Sequence, residues 1–217
     1  MKLWPADLPR LPRGTPNDRP VALLMRHAER PPIAAGEHGA DLALTAPGRR
    51  SAEALGAALG PRLQRLSTSP IRRCRETAEA LRRGANVYIE IVDDRLLGDP
   101  GVFVRDPDLA WTHWQTMGNN AVIEHLAWSD RPLPGLAPPA EAAHQLAQHM
   151  ALALHGALPG LHLFLTHDAI LYPTFSRMLP SARGRHGWPA FLEAAAVWHA
   201  TDHSIFAYRD DAEPFHR

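Results

Sequence analysis

Apolar positions along the chain fall into two patterns: short unbroken runs, and longer stretches in which they recur every three or four residues. The run at 21–25, Val-Ala-Leu-Leu-Met, stops abruptly at charge, as a parallel strand buried on both faces does. Residues 63–68 can form a second short strand, the apolar run at 161–166 predicts another, and the alternation of Val87, Ile89 and Ile91 predicts one more. Helical patterns lie between them. Thr45-Ala46-Pro47 supplies a capping hydroxyl and an early proline ahead of an alanine- and leucine-rich stretch to residue 59. A helix from 70 to about 83 carries Ile71, Cys74, Ala78 and Leu81 on one face and arginines elsewhere. Further helices are predicted over 140–158, ended by Pro159-Gly160, and over about 169–179. Residues 194–199 and 204–208 are expected to pair at a sheet edge.

Strands alternating with helices imply an α/β fold, a three-layer sandwich with a mainly parallel central sheet flanked by helices. A chain of 217 residues suits one domain, expected over 1–217. Residues 1–20 hold five prolines and read as an irregular N-terminal arm. The segment at about 97–139 breaks the rhythm with Trp111, Trp114, Trp128, several prolines and Gly118-Asn119-Asn120. It is expected to be an insertion over one end of the sheet, above the active site.

Composition changes this picture little. The 23 basic and 23 acidic side chains cancel, so the overall balance argues for neither a nucleic acid nor a membrane surface as partner. A single cysteine, Cys74, excludes an intramolecular disulfide and fits a reducing compartment. Met1-Lys2-Leu3-Trp4-Pro5 breaks at proline before a secretory core can form, and no apolar run approaches the ~20 residues that span a bilayer. The expectation is a soluble cytoplasmic protein, and no oligomeric state follows.

Chemistry enters at the predicted strand ends. Arg26-His27 follows the first strand, Ser69-Pro70-Ile71-Arg72-Arg73 the second, and Thr166-His167-Asp168 the run at 161–166. In open α/β sheets the ligand crevice lies at such ends. One histidine there is commonly just a capped or surface residue, but three coincident ends supply two histidines and several arginines.

These motifs resemble those of the histidine phosphatase superfamily, the group of phosphoglycerate mutases and histidine acid phosphatases. Arg26-His27-Ala28-Glu29-Arg30-Pro31-Pro32 matches the acid phosphatase form Arg-His-Gly-x-Arg-x-Pro except for alanine at the glycine. Leu44-Thr45-Ala46-Pro47-Gly48 resembles the family's Leu-Thr-x-x-Gly helix start. The stretch from Ser69 to Ala78 resembles Ser-Pro-Leu-x-Arg-x-x-x-Thr-Ala, which places Arg73 at the family's arginine. Thr166-His167-Asp168 is similar to the late His-Asp pair of the acid phosphatase branch. The resemblance runs from about 21 to 179 and implies a phosphoglycerate mutase-like fold.

It also implies a metal-independent phosphomonoester hydrolase acting on a small-molecule phosphate ester through a phosphohistidine on His27. Arg26, Arg30 and Arg73 would present forked donors to the phosphoryl oxygens, with His167 adding another. His27 must attack as a neutral ring, and nearby arginines favour that form. Asp168 is the first candidate for general acid by resemblance. Asp99, in the region where the mutase-like branch draws on a glutamate, is the second, and Glu29 the third. A phosphomutase would use the same residues, with a bound hydroxyl in place of water as acceptor. A non-catalytic phosphate-binding or scaffold protein is the alternative from another class, although a pure binder needs no nucleophile.

Other polar residues have plainer readings. Arg72, Arg75, Arg82 and Arg83 suit a solvated helix face, and Cys74 a small core position. The 13 histidines include no His-Glu-x-x-His and no cysteine cluster, so neither a metal nor another cofactor is expected. Trp111 and Trp114 have two readings, as anchors of the insertion or as walls for the non-phosphate end of a substrate.

Overall fold

The computed structural model describes residues 6–33, 37 and 39–216. The first five residues of the expected N-terminal arm, and the reading made on them, lie outside the described residues. Residues 6–19 contain no helix or strand.

Seven strands form one sheet: β1 (Pro20–Arg26), β2 (Leu63–Thr68), β3 (Ile91–Asp93), β4 (Gly160–Thr166), β5 (Ala194–His199), β6 (Ser204–Tyr208) and β7 (Asp211–Phe215), in the order β3-β2-β4-β1-β5-β6-β7. The pairings β3–β2, β2–β4 and β4–β1 are parallel, and β1–β5, β5–β6 and β6–β7 are antiparallel. The helices are α1 (Ala46–Leu59), α2 (Arg72–Ala85), α3 (Pro107–Met117), α4 (Asn119–Trp128), α5 (Pro139–Leu152) and α6 (Asp168–Met178).

The unbroken apolar runs follow from burial on both faces. Val21, Leu23 and Met25 of β1 pack with Leu161, Leu163 and Leu165 of β4 against α1 and α2. Ala22, Leu24 and Phe164 face the opposite core, formed with α4, α5 and α6. The result is the expected three-layer α/β sandwich. Burying each of these leucines contributes roughly 1.5–3 kcal/mol relative to leaving it exposed.

Four details differ from the sequence expectation. Strand β3 is only Ile91–Asp93; Val87 and Ile89 pack on the core beside it without a ladder. Helix α5 stops at Leu152, and turns centred on Ala153–Gly156 lead to β4. Strand β5 is not at an edge, because it hydrogen-bonds to β1, and the edge is β7. The segment at 97–139 is largely helical. Asp106 caps α3 by accepting from the Asp108 and Leu109 N–H groups, and Gly118 ends α3 and starts α4 with φ 81°.

Candidate active site

Strand β4 lies between β2 and β1, so their three C-terminal ends are neighbours. The Arg26–Thr166 and Thr68–Leu165 registers bring the chain out of the sheet at one level. Backbone bonds from His27 N to Thr166 O (2.9 Å) and from Ser69 N to Leu165 O (2.9 Å) hold those ends together. Arg26, His27, Arg73 and His167 thereby meet, each buried, with Asp168 beside them.

Beyond β1 the backbone is fixed from two sides. The Ala28 N–H donates to Thr77 Oγ1 at 3.0 Å, and that hydroxyl donates to the Arg73 carbonyl at 2.7 Å. The Glu29 carbonyl accepts from Thr45 N at 3.0 Å. Thr45 in turn caps α1 by accepting from Gly48 N. A Cβ on Gly48 would lie 2.3 Å from the Glu29 carbonyl oxygen, which explains the glycine in the first turn of α1. The Glu29 carboxylate accepts from the Thr45 hydroxyl at 3.0 Å, so it serves this junction.

Arg73, in the first turn of α2, joins the two histidines. Its Nε donates to His27 Nε2 at 3.2 Å, its Nη2 donates to His167 Nδ1 at 3.1 Å, and its Nη1 donates to the Gly39 carbonyl at 2.7 Å. A guanidinium has only donors, so both ring nitrogens it meets must be unprotonated. The other nitrogens then carry the hydrogens: His27 Nδ1 donates to the Ala28 carbonyl at 2.7 Å, and His167 Nε2 donates to Ser69 Oγ at 2.9 Å. Burial, with the Arg73 charge next, brings the His27 pKa down to about 3. The same two causes put His167 well below its usual value. Both rings are neutral at pH 7.

Arg26 Nη2 pairs with Asp168 Oδ2 at 2.6 Å, and its Nη1 donates to the Pro189 carbonyl at 2.7 Å. Asp168 opens α6, with Oδ1 accepting from Ala169 N at 3.0 Å. Its burial works to raise its pKa, but Arg26, His27 and the Trp188 indole outweigh that and leave it below the usual carboxylate range. Asp99 is placed differently. Its carboxylate is more than half exposed and lies 3.8 Å from Arg95, although neighbouring Gly98 packs tightly on Ser69 and His167.

Arg30 is half-buried, and its Nη1 donates to the Pro31 carbonyl at 2.7 Å. Its charge acts on Arg26, Arg73, His167 and Asp168. Arg30 Nε and Arg26 Nε are buried without a hydrogen-bond partner among the described residues. Buried donors left this way cost about 1–3 kcal/mol each, so this cluster is suited to an oxyanion.

Trp114 packs against the core on the α4–α6 side, and Trp111 is half-buried on α3. Two aromatic rings that touch the site residues directly are Trp188 and Phe191, which sequence reasoning missed. Trp188 Nε1 donates to Asp168 Oδ2 at 3.2 Å, and the Arg26 guanidinium lies over the Phe191 ring at 4.2 Å. Cys74 is fully buried, and burial pushes its thiol up to about 12, so it stays protonated. No group of three or more His, Cys, Asp or Glu side chains placed to hold a metal ion occurs among the described residues.

A parallel half-sheet carrying two neutral histidines and converging arginines at its strand ends defines an α/β protein built to receive an anion. The chain belongs to the histidine phosphatase superfamily, branch 1, whose family model matches residues 22–158. That stretch includes Arg26, His27, Arg30 and Arg73 and stops before His167 and Asp168. A search of curated proteins finds no match. Among solved structures, the chain is similar to a mycobacterial glucosyl-3-phosphoglycerate phosphatase, with 15% identity, TM-score 0.57, and 89% of this chain and 96% of that one covered. It is also similar to YhfR of Bacillus stearothermophilus (19%, TM-score 0.55, 83% and 92%). A third is a mutant phosphoserine phosphatase from Entamoeba histolytica, solved in complex with phosphoserine (12%, TM-score 0.55, 86% and 94%). At these identities the likeness is one of fold. No described helix is long and apolar enough to cross a membrane.

Proposed function

We propose that the protein hydrolyses small-molecule phosphate monoesters through a phosphohistidine formed on His27, with no metal ion in the reaction. The observation that carries this reading is the state of His27. It is a neutral ring with Nδ1–H tied to a carbonyl and the lone pair of Nε2 turned to the Arg73 guanidinium 3.2 Å away. A nucleophile needs that tautomer, and a phosphoryl group needs that charge beside it.

The lone pair of Nε2 attacks phosphorus, the P–N bond forms and the bond to the leaving oxygen breaks. Arg26, Arg30 and Arg73 stabilise the charge on the phosphoryl oxygens, and His167 adds a donor when its Nε2 hydrogen turns from Ser69 Oγ to the anion. Asp168 gives its proton to the leaving oxygen. Water then attacks phosphorus, the P–N bond breaks, and Asp168 takes the proton from that water. Asp168 is ionised while paired with Arg26; a phosphate dianion that draws Arg26 to itself and brings negative charge close favours its protonation. The fold's use by a glucosyl-3-phosphoglycerate phosphatase and by a phosphoserine phosphatase supports a small monoester as substrate.

A screen of phosphorylated metabolites for released phosphate, run in excess chelator, tests the activity. His27→Ala should abolish both turnover and the phosphoenzyme trapped by alkaline quench. Undiminished hydrolysis by that variant sinks the mechanism, and a strict requirement for a divalent ion sinks its metal independence.

A further inference from the structure

The segment leading into β5 touches the site at three points. The Trp188 indole N–H donates to Asp168 Oδ2 at 3.2 Å, the Pro189 carbonyl accepts from Arg26 at 2.7 Å, and the Phe191 ring lies 5.7 Å from that of His27. The segment is itself held. Ala190 N donates to the Glu193 carboxylate at 2.7 Å, and Arg209 grips both oxygens of that carboxylate at 2.6 and 3.1 Å. Trp188 stacks on Tyr172 of α6, with ring centroids 4.9 Å apart and planes 23° from parallel. The indole therefore has one well-defined place.

Asp168 has three donors: Ala169 N on Oδ1, and Arg26 with the indole on Oδ2. Of the two on Oδ2, Arg26 is the one a phosphate recruits. Once it turns to a phosphoryl oxygen, the indole alone remains to hold Oδ2. A protonated Oδ2 keeps a lone pair that can accept the indole hydrogen, so the contact survives both protonation states.

We propose that Trp188 is a positioning residue for the proton donor, holding Asp168 in place through its indole N–H while the substrate engages Arg26. This rests on the reading of Asp168 as general acid. The charged and titratable groups facing Asp168 are Arg26 and His27 at the end of β1, Arg30 beyond them, and Arg73 and Cys74 from α2. Trp188 is a neutral donor beside them, and its removal takes a hydrogen bond from the ionised carboxylate.

The test is Trp188→Phe, which keeps a ring on Tyr172 and removes the N–H. It is assayed with glycerol 2-phosphate and p-nitrophenyl phosphate across pH. The alkaline limb of kcat/KM should move up by about one pH unit, because the ionised acid has lost a donor. The kcat on the alkyl ester should fall about tenfold and that on the aryl ester, whose leaving group needs little protonation, less than about twofold. Inhibition by inorganic phosphate should stay unchanged, and Trp188→His should recover part of the loss. If Trp188→Phe does not fold, Trp188→Leu takes its place. An unaltered pH profile and leaving-group dependence overturns the proposal, and so does weakened phosphate inhibition, which would make Trp188 part of the phosphate site. Asp168→Asn is run alongside. If it shows no leaving-group dependence, the general-acid reading itself falls; if it does and Trp188→Phe is silent, only the role of Trp188 falls.

Discussion

Arg73 donates to His27 Nε2 and His167 Nδ1 at once, at 3.2 and 3.1 Å, and so holds the two rings in opposite tautomers. One planar fork does this because its Nε and Nη2 hydrogens are fixed in direction. A lysine has the charge without the fork. Arg73→Lys is therefore expected to fold and to lose about a hundredfold or more in kcat, the scale seen when one donor to a developing oxyanion is removed. Steady-state kinetics on any substrate found by the screen checks this, and activity within threefold of wild type would show that charge alone suffices.

Acid should destabilise the fold from a higher pH than carboxylate protonation explains. His27 is depressed to about 3, and His167 and His162 also lie below their usual value, in each case with burial as the first cause. Below about pH 6.5 the unfolded chain protonates these rings while the folded chain does not, so protons favour unfolding. This stability is complete above about 6.5 and is lost as pH falls toward the folded values. A ring that stays neutral costs about 1.4 kcal/mol per pH unit in that window. Asp168, also depressed, adds its loss only below the ordinary carboxylate range. Urea melts at pH 7.5, 6.0 and 5.0 should show the decline, and His167→Asn should flatten it. Equal stability at all three values would mean that the buried rings accept protons.

Much of this was legible in the sequence, for local reasons. The strands β1 and β4 are largely apolar runs cut off by polar residues, while β2 (Leu-Gln-Arg-Leu-Ser-Thr) is mixed; the pairing of the three puts Arg26, Ser69 and His167 at one level. Helices α1 and α2 have recognisable starts. Strand β7 was missed because four of the five residues in Asp-Ala-Glu-Pro-Phe are of types depleted in strands. It is an edge strand reached through a tight turn in which Arg209 has φ 52°, and an edge is where proline is tolerated. The contribution of Trp188, Pro189 and Phe191 could not be read locally either. The Pro189–Arg26 bond spans 163 residues, and nothing in Trp-Pro-Ala-Phe marks a site. Asp168 and Asp99 both follow predicted strands, and the ion pair to Arg26, which distinguishes them, is a tertiary fact.

The α1–α2 contact should be the most sensitive place in the fold away from the site. A Cβ on Gly84 would lie 1.9 Å from the Glu53 carbonyl oxygen, and one on Gly56 would lie 2.1 Å from that of Leu81. Both neighbours are backbone, so the helices themselves must separate. Gly84→Ala is expected to lose about 2 kcal/mol or more in urea unfolding, the cost of overpacking a rigid contact. Its kcat, measured well below the melting temperature, should stay within about threefold of wild type. A neutral effect on unfolding would show that the helices part easily.

Gly98 should behave in the opposite way, with activity suffering more than stability. It lies at φ 151°, and a Cβ there would stand 2.4 Å from Ser69 Oγ and 2.8 Å from His167 Nε2. Those are the two atoms joined by the bond that sets the His167 tautomer. Side chains can yield where backbone cannot, so Gly98→Ala should push the imidazole from Ser69 and misplace it relative to Arg73. The expected stability loss is about 1–3 kcal/mol, from backbone strain and displaced packing. The expected fall in kcat is about a hundredfold, because a shift of about 1 Å in a positioned group is costly. Orthovanadate, a trigonal-bipyramidal phosphoryl mimic, gives a second readout. It should raise the melting temperature of the wild type by mass action and raise that of Gly98→Ala much less. If both proteins gain equally, His167 is not part of the anion site, and its bond to Arg73 serves only the fold.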